Sequence, residues 1–380
     1  MPARHYLDHA STSPPRPEVR AAIARWLEGP WADPGRLHAE GREVRVAVET
    51  AREQVAELLS CRPREVVFTS GGTEAINAAV WGATRARPNA PVVLADVEHS
   101  AVRESSGRLA PVVVLPVDGD GRIDVAALDE VLRDPPPALV HCQWGNHEVG
   151  TLQPAAELVE RCAAAGVPVH VDAAMACGHV AMALDELGAD LVSVSAHKFG
   201  GPPGVGALVV RRGRRFDPWL VGGEQERARR AGLENVPGIV GFGAAAAALG
   251  ADGGAVLAEE AETDRRRTAA LAAAALAEPG VALVGPVDPA ARLPHLVCLG
   301  VDGVEAEPIV LGLDRAGLAV HSGSACSSES LEPSPVLEAM GADPSHSLRL
   351  SVGWSTTNAD VEAFAEAFPA VVGGLRALRA

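Results

Sequence analysis

Lysine is almost absent from this sequence. The 380 residues include 33 lysines and arginines together, and Lys198 is the only lysine among them. Arginine can replace lysine wherever a positive charge or a solvated stem is needed, but its guanidinium stays protonated and cannot act as an amine nucleophile. A single retained lysine therefore favours amine chemistry at Lys198. The alternative is compositional drift in a GC-rich genome, which would leave one lysine by chance.

A net positive charge, paired cysteines and long apolar runs are also missing. The formal net charge is −16 and the pI is about 5.2, which argues against a surface for nucleic acid or for an anionic membrane. The six cysteines form no C-x-x-C pair, which fits neither a disulfide framework nor a zinc ribbon, and we expect no metal site. No stretch approaches the roughly 18 apolar residues of a membrane span, and the start MPARHYLDHASTSPP has no apolar signal segment. We therefore expect a cytoplasmic protein.

What is present indicates an α/β protein. A hydrophobic content of 47% and a mean hydropathy of +0.11 support a sizeable core. Strand and helix patterns alternate from residue 66 to residue 210, which is typical of an open, largely parallel sheet. Short strands mix with helices further on, as in a smaller α+β domain. We divide the chain into an N-terminal arm that joins the small domain (1–15), a large domain (16–250) and a small domain (251–380).

Several element boundaries follow from the same patterns. Apolar spacing predicts an amphipathic helix over 42–59, a helix from about residue 74, and two Ala-rich helices over 239–249 and 255–277. Buried strands are predicted to end at Thr69, His99 and Asp172.

A Ser-Gly-Gly-Thr turn joins the strand at 66–69 to the next helix. Free backbone N–H groups and the positive end of a helix dipole meet at such a turn, which makes it an anion site. Thr73 adds a hydroxyl donor. The alternative is an ordinary strand-to-helix connection in which Thr73 is the N-cap.

Polar side chains stand at several other predicted strand ends. Asp172 follows a buried strand, where open α/β sheets bind ligands, although it could also be a helix cap. Lys198 follows 26 residues later, in a Gly- and Pro-rich turn. Pyridoxal phosphate needs this combination: a lysine for its aldehyde, a carboxylate for its pyridinium nitrogen and donors for its phosphate. The sequence offers Lys198, Asp172 and His99, with a phosphate cradle of Gly72, Thr73, Ser195 and His197.

Small polar residues surround Cys326 in SGSACSSESLEPS. We predict that this thiol is exposed on a mobile loop and that the other five cysteines are not, most of them belonging to the core.

Several segments resemble the class V aminotransferases, and within them the long-loop cysteine desulfurases. They are VEHSAV, HVDAAMACG, SVSAHKFGGPPGVGAL, GGEQERARRAG and SGSACSSESLEPS, and the likeness runs from YLDHAST to RLSVGWSTT. The resemblance implies the fold of type I pyridoxal phosphate enzymes, with a mostly parallel seven-stranded sheet in the large domain. It also implies a homodimer that converts L-cysteine to L-alanine and delivers sulfur to an acceptor protein.

The resemblance also assigns roles to individual residues. Lys198 would carry the cofactor, Asp172 would pair with its pyridine nitrogen, and His99 would stack on its ring and move protons. Cys326 would take the sulfur as a persulfide, and Arg349 would bind the substrate carboxylate as a bidentate clamp. The remaining assignments are the phosphate ligands Gly72, Thr73, Ser195 and His197, the cofactor ligand His147 and the substrate ligand Asn146.

Three positions depart from the family pattern. His147 replaces an Asn of the N-N-E-x-G motif and can still donate a hydrogen bond. Met175 replaces the Gln that normally reaches the phenolic oxygen of the cofactor, and it cannot donate. Leu233 replaces a Thr that contributes to the phosphate site across the dimer. These changes leave two alternatives open: a related carbon–sulfur or carbon–selenium lyase, and an inactive scaffold that binds a sulfur carrier.

Overall fold

Three β-sheets, of seven, four and two strands, and a set of surrounding helices make up the described part of the computed structural model, which describes residues 4–133, 135–323 and 333–378. The strands in these ranges are β1 (His5–Tyr6), β2 (Val66–Thr69), β3 (Val92–Ala95), β4 (Val112–Leu115), β5 (Leu139–Gln143), β6 (Val169–Asp172), β7 (Leu191–Ser195), β8 (Gly206–Val210), β9 (Val281–Val284), β10 (Leu296–Val301), β11 (Leu318–Ala319), β12 (His321–Ser322) and β13 (Ser347–Ser351). The helices are α1 (Pro17–Glu28), α2 (Ala39–Leu58), α3 (Gly72–Ala86), α4 (Ser100–Leu109), α5 (Val125–Val131), α6 (Ala155–Ala164), α7 (Leu184–Leu187), α8 (Gln225–Ala228), α9 (Val236–Leu276), α10 (Ala306–Arg315), α11 (Pro335–Ala339) and α12 (Asn358–Ala377).

The larger sheet has seven strands in the order β2-β8-β7-β6-β5-β3-β4. Strands β3 to β7 pair in parallel with one another, whereas β8 is antiparallel to both β2 and β7. The prediction of a mostly parallel seven-stranded sheet is confirmed. Because parallel strands end at one edge, the segments that follow β2, β3, β5, β6 and β7 meet there.

A close approach between two strands fixes the turn before α3. A Cβ atom on Gly206, the first residue of β8, would lie 2.6 Å from the carbonyl oxygen of Val194 and 2.9 Å from Cα of Gly71. Real Cβ contacts are longer than this, so the position requires glycine. The missing side chain lets the turn at Gly71 lie against β7 and β8, which sets the first residues of α3 beside Ser195.

The smaller sheet has the order β12-β13-β10-β9, and β1 of the N-terminal segment pairs in parallel with β11. A second hydrophobic core joins Leu7 to Leu271, Val297, Leu350 and Phe364. The first residues of the chain are thus packed with the last third of it. The domain boundaries at 15 and 250 stay a prediction.

Several predicted boundaries need correction. Helix α2 begins at Ala39, three residues early, because the His38 side chain accepts a hydrogen bond from Gly41 N and caps it. Helix α3 begins at Gly72 with Gly71 as its N-cap, so the reading of Thr73 as N-cap is wrong. Strand β3 ends at Ala95, and His99 instead caps α4 by accepting from Ala101 N.

Helix α9 contains both predicted Ala-rich helices. Its backbone leaves helical geometry from Ala251 to Gly254, the predicted break. An 18-residue window of α9 has a mean hydropathy of 1.5, enough by length and composition to cross a membrane, so the expectation that no stretch approaches a span is wrong on that measure. In the structure α9 packs along α1 and α2, which is how the core helix of a large domain behaves.

Candidate active site

A cavity of about 410 Å³ opens at the carboxyl edge of the large sheet. Residues from the predicted large domain (16–250) and from the predicted small domain (251–380) both line it. Nine of them are predicted site residues: Gly72, Thr73, His99, His147, Asp172, Ser195, His197, Lys198 and Arg349. The sheet edge accounts for most of this convergence, since α3, α4 and the segments after β5, β6 and β7 all begin there.

Lys198 reaches the cavity from a short 3-10 helix, Ala196–Phe199, directly after β7. Its Nζ donates to the carbonyl oxygens of Ala10 at 2.7 Å and Ser11 at 3.1 Å. The amine is therefore partly buried between the sheet edge and the N-terminal segment. Sequence reasoning described this segment only as an arm that joins the small domain, because no local pattern predicts that residues 10 and 11 contact residue 198.

Asp172 is the last residue of β6 and is 8% exposed. Its Oδ1 accepts hydrogen bonds from Ser193 Oγ at 2.9 Å and from Ala174 N at 3.1 Å. These two donors fix the direction of the carboxylate. Ser193 belongs to the neighbouring strand β7, and the sequence analysis missed it because only the register of β6 against β7 brings the two side chains together.

A second acid lies behind Asp172. Glu98 is fully buried, its Oε1 accepts from Gln143 N at 2.7 Å, and its Oε2 has no partner among the described residues. Burial, reinforced by the charge of Asp172, raises the pKa of Glu98 to about 8. At pH 7 Glu98 is therefore mostly neutral and adds little negative charge beside Asp172.

The predicted anion cradle is assembled at the start of α3. Gly72 and Thr73 are the first two residues of this 15-residue helix, Ser195 lies beside Gly72, and His197 lines the same cavity. His197 Nδ1 lies 3.1 Å from Thr12 Oγ1. Burial, followed by the charge of Lys198, lowers the pKa of His197 to about 4. The cradle thus combines a helix N-terminus with neutral donors, which suits a phosphate.

Two imidazoles form another wall of the cavity. The rings of His99 and His147 meet edge to face with centroids 5.1 Å apart. His99 Nδ1 accepts from Ala101 N at 3.0 Å, so the neutral ring carries its proton on Nε2. Burial, and next the charge that His147 would carry, lower the pKa of His99 to about 4. His99 is therefore neutral at pH 7.

Arg349 in β13 is 2% exposed and comes from the small sheet. Its Nη1 donates to His147 O at 2.9 Å, and its Nη2 donates to Asp8 Oδ1 at 3.0 Å and to Ser11 Oγ at 2.7 Å. Its Nε is buried without a partner among the described residues. A substrate carboxylate would have to compete with Asp8 for this guanidinium.

One predicted residue that the structure describes, Asn146, does not line this cavity. The Asn146 side chain is fully buried and donates to Val97 O and Gln143 Oε1 while it accepts from Glu148 N and Val149 N. It holds the loop together, so this placement does not support a contact with substrate. Cys326 lies outside the described residues.

The three departures from the family pattern occupy different places. His147 and Met175 line the cavity, and Met175 packs there against Ala10 and Leu293. Leu233 is 65% exposed, far more than a packed leucine. The cavity also contains Gln143 and His321, which the sequence analysis did not single out.

The residues present fit pyridoxal phosphate. The cavity offers a primary amine, an oriented carboxylate, a helix N-terminus and an imidazole, and one nitrogen of the neighbouring guanidinium has no partner among the residues that the structure describes. An aldehyde, a pyridine nitrogen and a phosphate need the first three of these groups. The arrangement therefore suits amino-acid chemistry on that cofactor.

Comparisons with known proteins agree with this chemistry. A family model described as aminotransferase class-V matches residues 5–364. A cysteine desulfurase of Cereibacter sphaeroides is 42% identical over 386 residues, which cover 99% of this chain and 97% of the relative. Among solved structures, a NifS-like protein has a TM-score of 0.89 at 28% identity and covers 98% of this chain and 100% of its own, and SspA in complex with cysteine has a TM-score of 0.79 at 25% identity, covering 93% and 100%. The chain belongs to the class V aminotransferases and, within them, to the cysteine desulfurases.

Proposed function

We propose that this chain binds pyridoxal 5′-phosphate on Lys198 and transfers the sulfur of L-cysteine to Cys326, releasing L-alanine. The observation that carries this proposal is the single cavity in which Lys198, Asp172, His99 and the N-terminus of α3 face one another. When it is bound, the cofactor withdraws electrons from the amino acid and so weakens bonds near its α-carbon.

The residues of the chain would hold and protonate the reacting groups. Asp172, oriented by Ser193, would keep a proton on the pyridine nitrogen. The N–H groups that begin α3, with Thr73, would hold the phosphate. His99 carries a proton on Nε2 and would donate it to the substrate, because Nδ1 already accepts from Ala101 N. Arg349 would bind the substrate carboxylate by exchanging its contact with Asp8.

The role of Cys326 rests on the sequence resemblance. In the proposed transfer the carbon–sulfur bond of cysteine breaks, a sulfur–sulfur bond to the Cys326 thiolate forms, and the β-carbon takes a proton to give alanine. Of the described residues nearest to it in the chain, His321 lines the cavity, and Ser334 donates to Glu148, the neighbour of His147. Cysteine as substrate is also supported by SspA, a structural neighbour that was solved in complex with cysteine.

Two measurements test this function. Purified protein incubated with pyridoxal phosphate should gain a visible absorption band, and Lys198→Ala should abolish it; an unchanged spectrum would contradict the cofactor proposal. Incubation with L-cysteine should then add one sulfur atom to Cys326, as measured by mass spectrometry, and Cys326→Ser should release almost no sulfide.

A carbon–sulfur or carbon–selenium lyase is the second candidate. Met175 in the cavity favours it, because methionine cannot make the donor contact of the family Gln. Full turnover of cystine, selenocysteine or a cysteine sulfoxide by Cys326→Ser would establish this lyase. An inactive scaffold is disfavoured, because compositional drift should have replaced a lysine without function by arginine, and Lys198 is retained.

Partners and location are proposed on the same basis. We expect a cytoplasmic homodimer that passes sulfur to an acceptor protein and has no nucleic-acid or membrane partner. Exposed apolar side chains, Leu233 and Val221 among them, support burial against a second copy. Sedimentation velocity tests the dimer.

A further inference from the structure

Two buried histidines outside the cavity lie behind Lys198. The rings of His179 and His295 are stacked, with centroids 3.5 Å apart and an interplanar angle of 14°. His179 is 6% exposed and His295 is fully buried. The two side chains come from segments 116 residues apart, one following β6 and the other preceding β10, so their stack joins the two sheets.

His179 contacts the backbone of the turn that carries the amine. Its Nε2 lies 3.1 Å from the carbonyl oxygen of Lys198, and because a carbonyl only accepts, Nε2 carries the proton. The preceding Gly178 has φ 80° and is packed so closely that a Cβ there would lie 2.4 Å from Cβ of Phe199. The segment of His179 is therefore pressed against the turn of Lys198 and Phe199.

His295 supports the stack from the other side. Its carbonyl oxygen accepts from Val352 N at 2.9 Å, and the preceding Pro294 carbonyl accepts from Thr268 Oγ1 at 2.9 Å, so its backbone is held by two elements. Neither of its ring nitrogens has a hydrogen-bond partner among the described residues. Unpaired buried nitrogens are destabilising, and the stack on His179 is the one ring contact that the structure gives this side chain among the residues described.

The surroundings keep both rings neutral. Lys198 and Arg16 face His179, while Lys198, Arg349, His9 and His179 face His295. Burial is the main cause that lowers the pKa of His179, to about 4, and that of His295 well below its usual value. With a pKa of about 4, His179 is neutral at pH 7, and its one ring proton lies on Nε2, in the hydrogen bond to the Lys198 carbonyl.

We propose that His179, braced by the stacked ring of His295, is a positioning residue that fixes the turn carrying Lys198 and thereby the direction of its amine. This inference rests on the proposed function, in which that amine binds the cofactor. It adds a second support for Lys198, at its backbone carbonyl, beside the hydrogen bonds of its amine to Ala10 and Ser11.

The test distinguishes the hydrogen bond that His179 donates from the stacking of its ring on His295. His179→Phe keeps an aromatic ring and loses the donor, whereas His179→Gln keeps a donor at similar reach and loses the ring. Leu271→Ala, a cavity variant in the core of the small sheet, controls for general loss of stability. The readout is the visible circular dichroism of the bound cofactor divided by its absorbance, which reports how rigidly the chromophore is held.

We expect His179→Phe to lose much of this ratio and to lower kcat by about fivefold to tenfold, the equivalent of one buried hydrogen bond, with KM nearly unchanged. His179→Gln should restore most of both. Equal ratios in His179→Phe and Leu271→Ala would overturn the proposal.

Hydrogen exchange of the unliganded protein gives an independent result. The amides of residues 196–201 should exchange faster in His179→Phe than in wild type or Leu271→Ala. If wild type shows no visible band, the proposed function fails, while the exchange rates still decide whether His179 positions the turn; unchanged exchange would refute it.

Discussion

Buried histidines should make this protein unusually sensitive to mild acid. Seven of the twelve histidines have a pKa below the usual value of 6.5, and burial is the first cause for each of them: His9, His99, His141, His170, His179, His197 and His295. Unfolding returns them to water, where they bind protons. Lowering the pH from 7 through 6.5 towards 4 therefore favours the unfolded chain.

Two buried acids act in the opposite direction. Burial raises the pKa of Glu98 to about 8 and that of Asp264 to about 7, so the folded protein already holds these protons at pH 5.5 and releases them on unfolding. Their contribution to stability is present at low pH and is lost as the pH rises through 7 and 8. Together with the histidines, they predict a stability maximum near neutral pH.

The size of the effect follows from the proton balance. At pH 5.5 each of the seven histidines gains nearly one proton on unfolding and each of the two acids loses nearly one, a net uptake of roughly four protons. At about 1.4 kcal/mol per proton and pH unit, the free energy of unfolding should fall by about 6 kcal/mol per pH unit near pH 5.5. Domains are stable by about 5–15 kcal/mol, so unfolding is expected before pH 4.

Calorimetry measures this proton uptake directly. Thermal unfolding at pH 5.5 in buffers of different ionisation enthalpy gives the number of protons bound, without assuming a two-state transition. His141→Phe removes one buried histidine outside the cavity and should lower the uptake by about one proton. An uptake near zero, or a melting temperature that is equal at pH 7 and pH 5.5, would refute the reasoning.

Three further variants probe the site and its support. His147→Asn removes the second cause that lowers the pKa of His99, so that pKa should rise and the acidic limb of the profile of kcat/KM against pH should move to higher pH. Arg349→Lys keeps the charge but lacks the planar fork that binds a carboxylate through two nitrogens, and KM for L-cysteine should rise by about tenfold, the equivalent of one charge-assisted hydrogen bond. Glu226→Ala removes the bidentate partner of Arg52, whose side chain is only 3% exposed. Because a buried charge then loses its partner, the free energy of unfolding in urea should fall by about 3–5 kcal/mol.

Matched variants show whether these effects are specific. His346→Asn removes a histidine outside the cavity and should leave the pH profile unchanged. Asp314→Asn breaks the exposed pair with Arg4 and should cost less than about 1 kcal/mol. Equal losses in Asp314→Asn and Glu226→Ala, an unmoved acidic limb in His147→Asn, or an unchanged KM in Arg349→Lys would each contradict the corresponding prediction.

The sequence predicted those site residues that a local pattern marks. Asp172 and Lys198 follow buried runs of β-branched residues, and a parallel sheet places such ends together, so their convergence needed no knowledge of long-range contacts. The two glycines of the Ser-Gly-Gly-Thr pattern likewise predicted the turn before α3. His99 lines the cavity as predicted, but the predicted strand end at His99 is wrong, because β3 ends at Ala95 and the histidine caps the following helix.

What the sequence did not predict depends on register and on contacts between distant segments. Ser193 meets Asp172 because of the pairing of two strands. Ala10 reaches Lys198 across 188 residues, and no periodicity reports such a contact. Asn146 was predicted to bind the substrate because it lies in a polar loop, whereas its amide oxygen accepts hydrogen bonds from two backbone N–H groups of that loop.

The hydrogen bonds of the Lys198 amine to Ala10 and Ser11 also have a practical consequence. Because this is the single side-chain amine of the chain, reagents that modify amines can react only there and at the N-terminus. Burial against the two carbonyl groups should slow the reaction at Lys198 relative to the terminal amine. Amine-directed cross-linking can therefore join copies or partners mainly through the terminal amine, whereas a hydride reductant followed by tryptic mapping would read cofactor occupancy from one peptide.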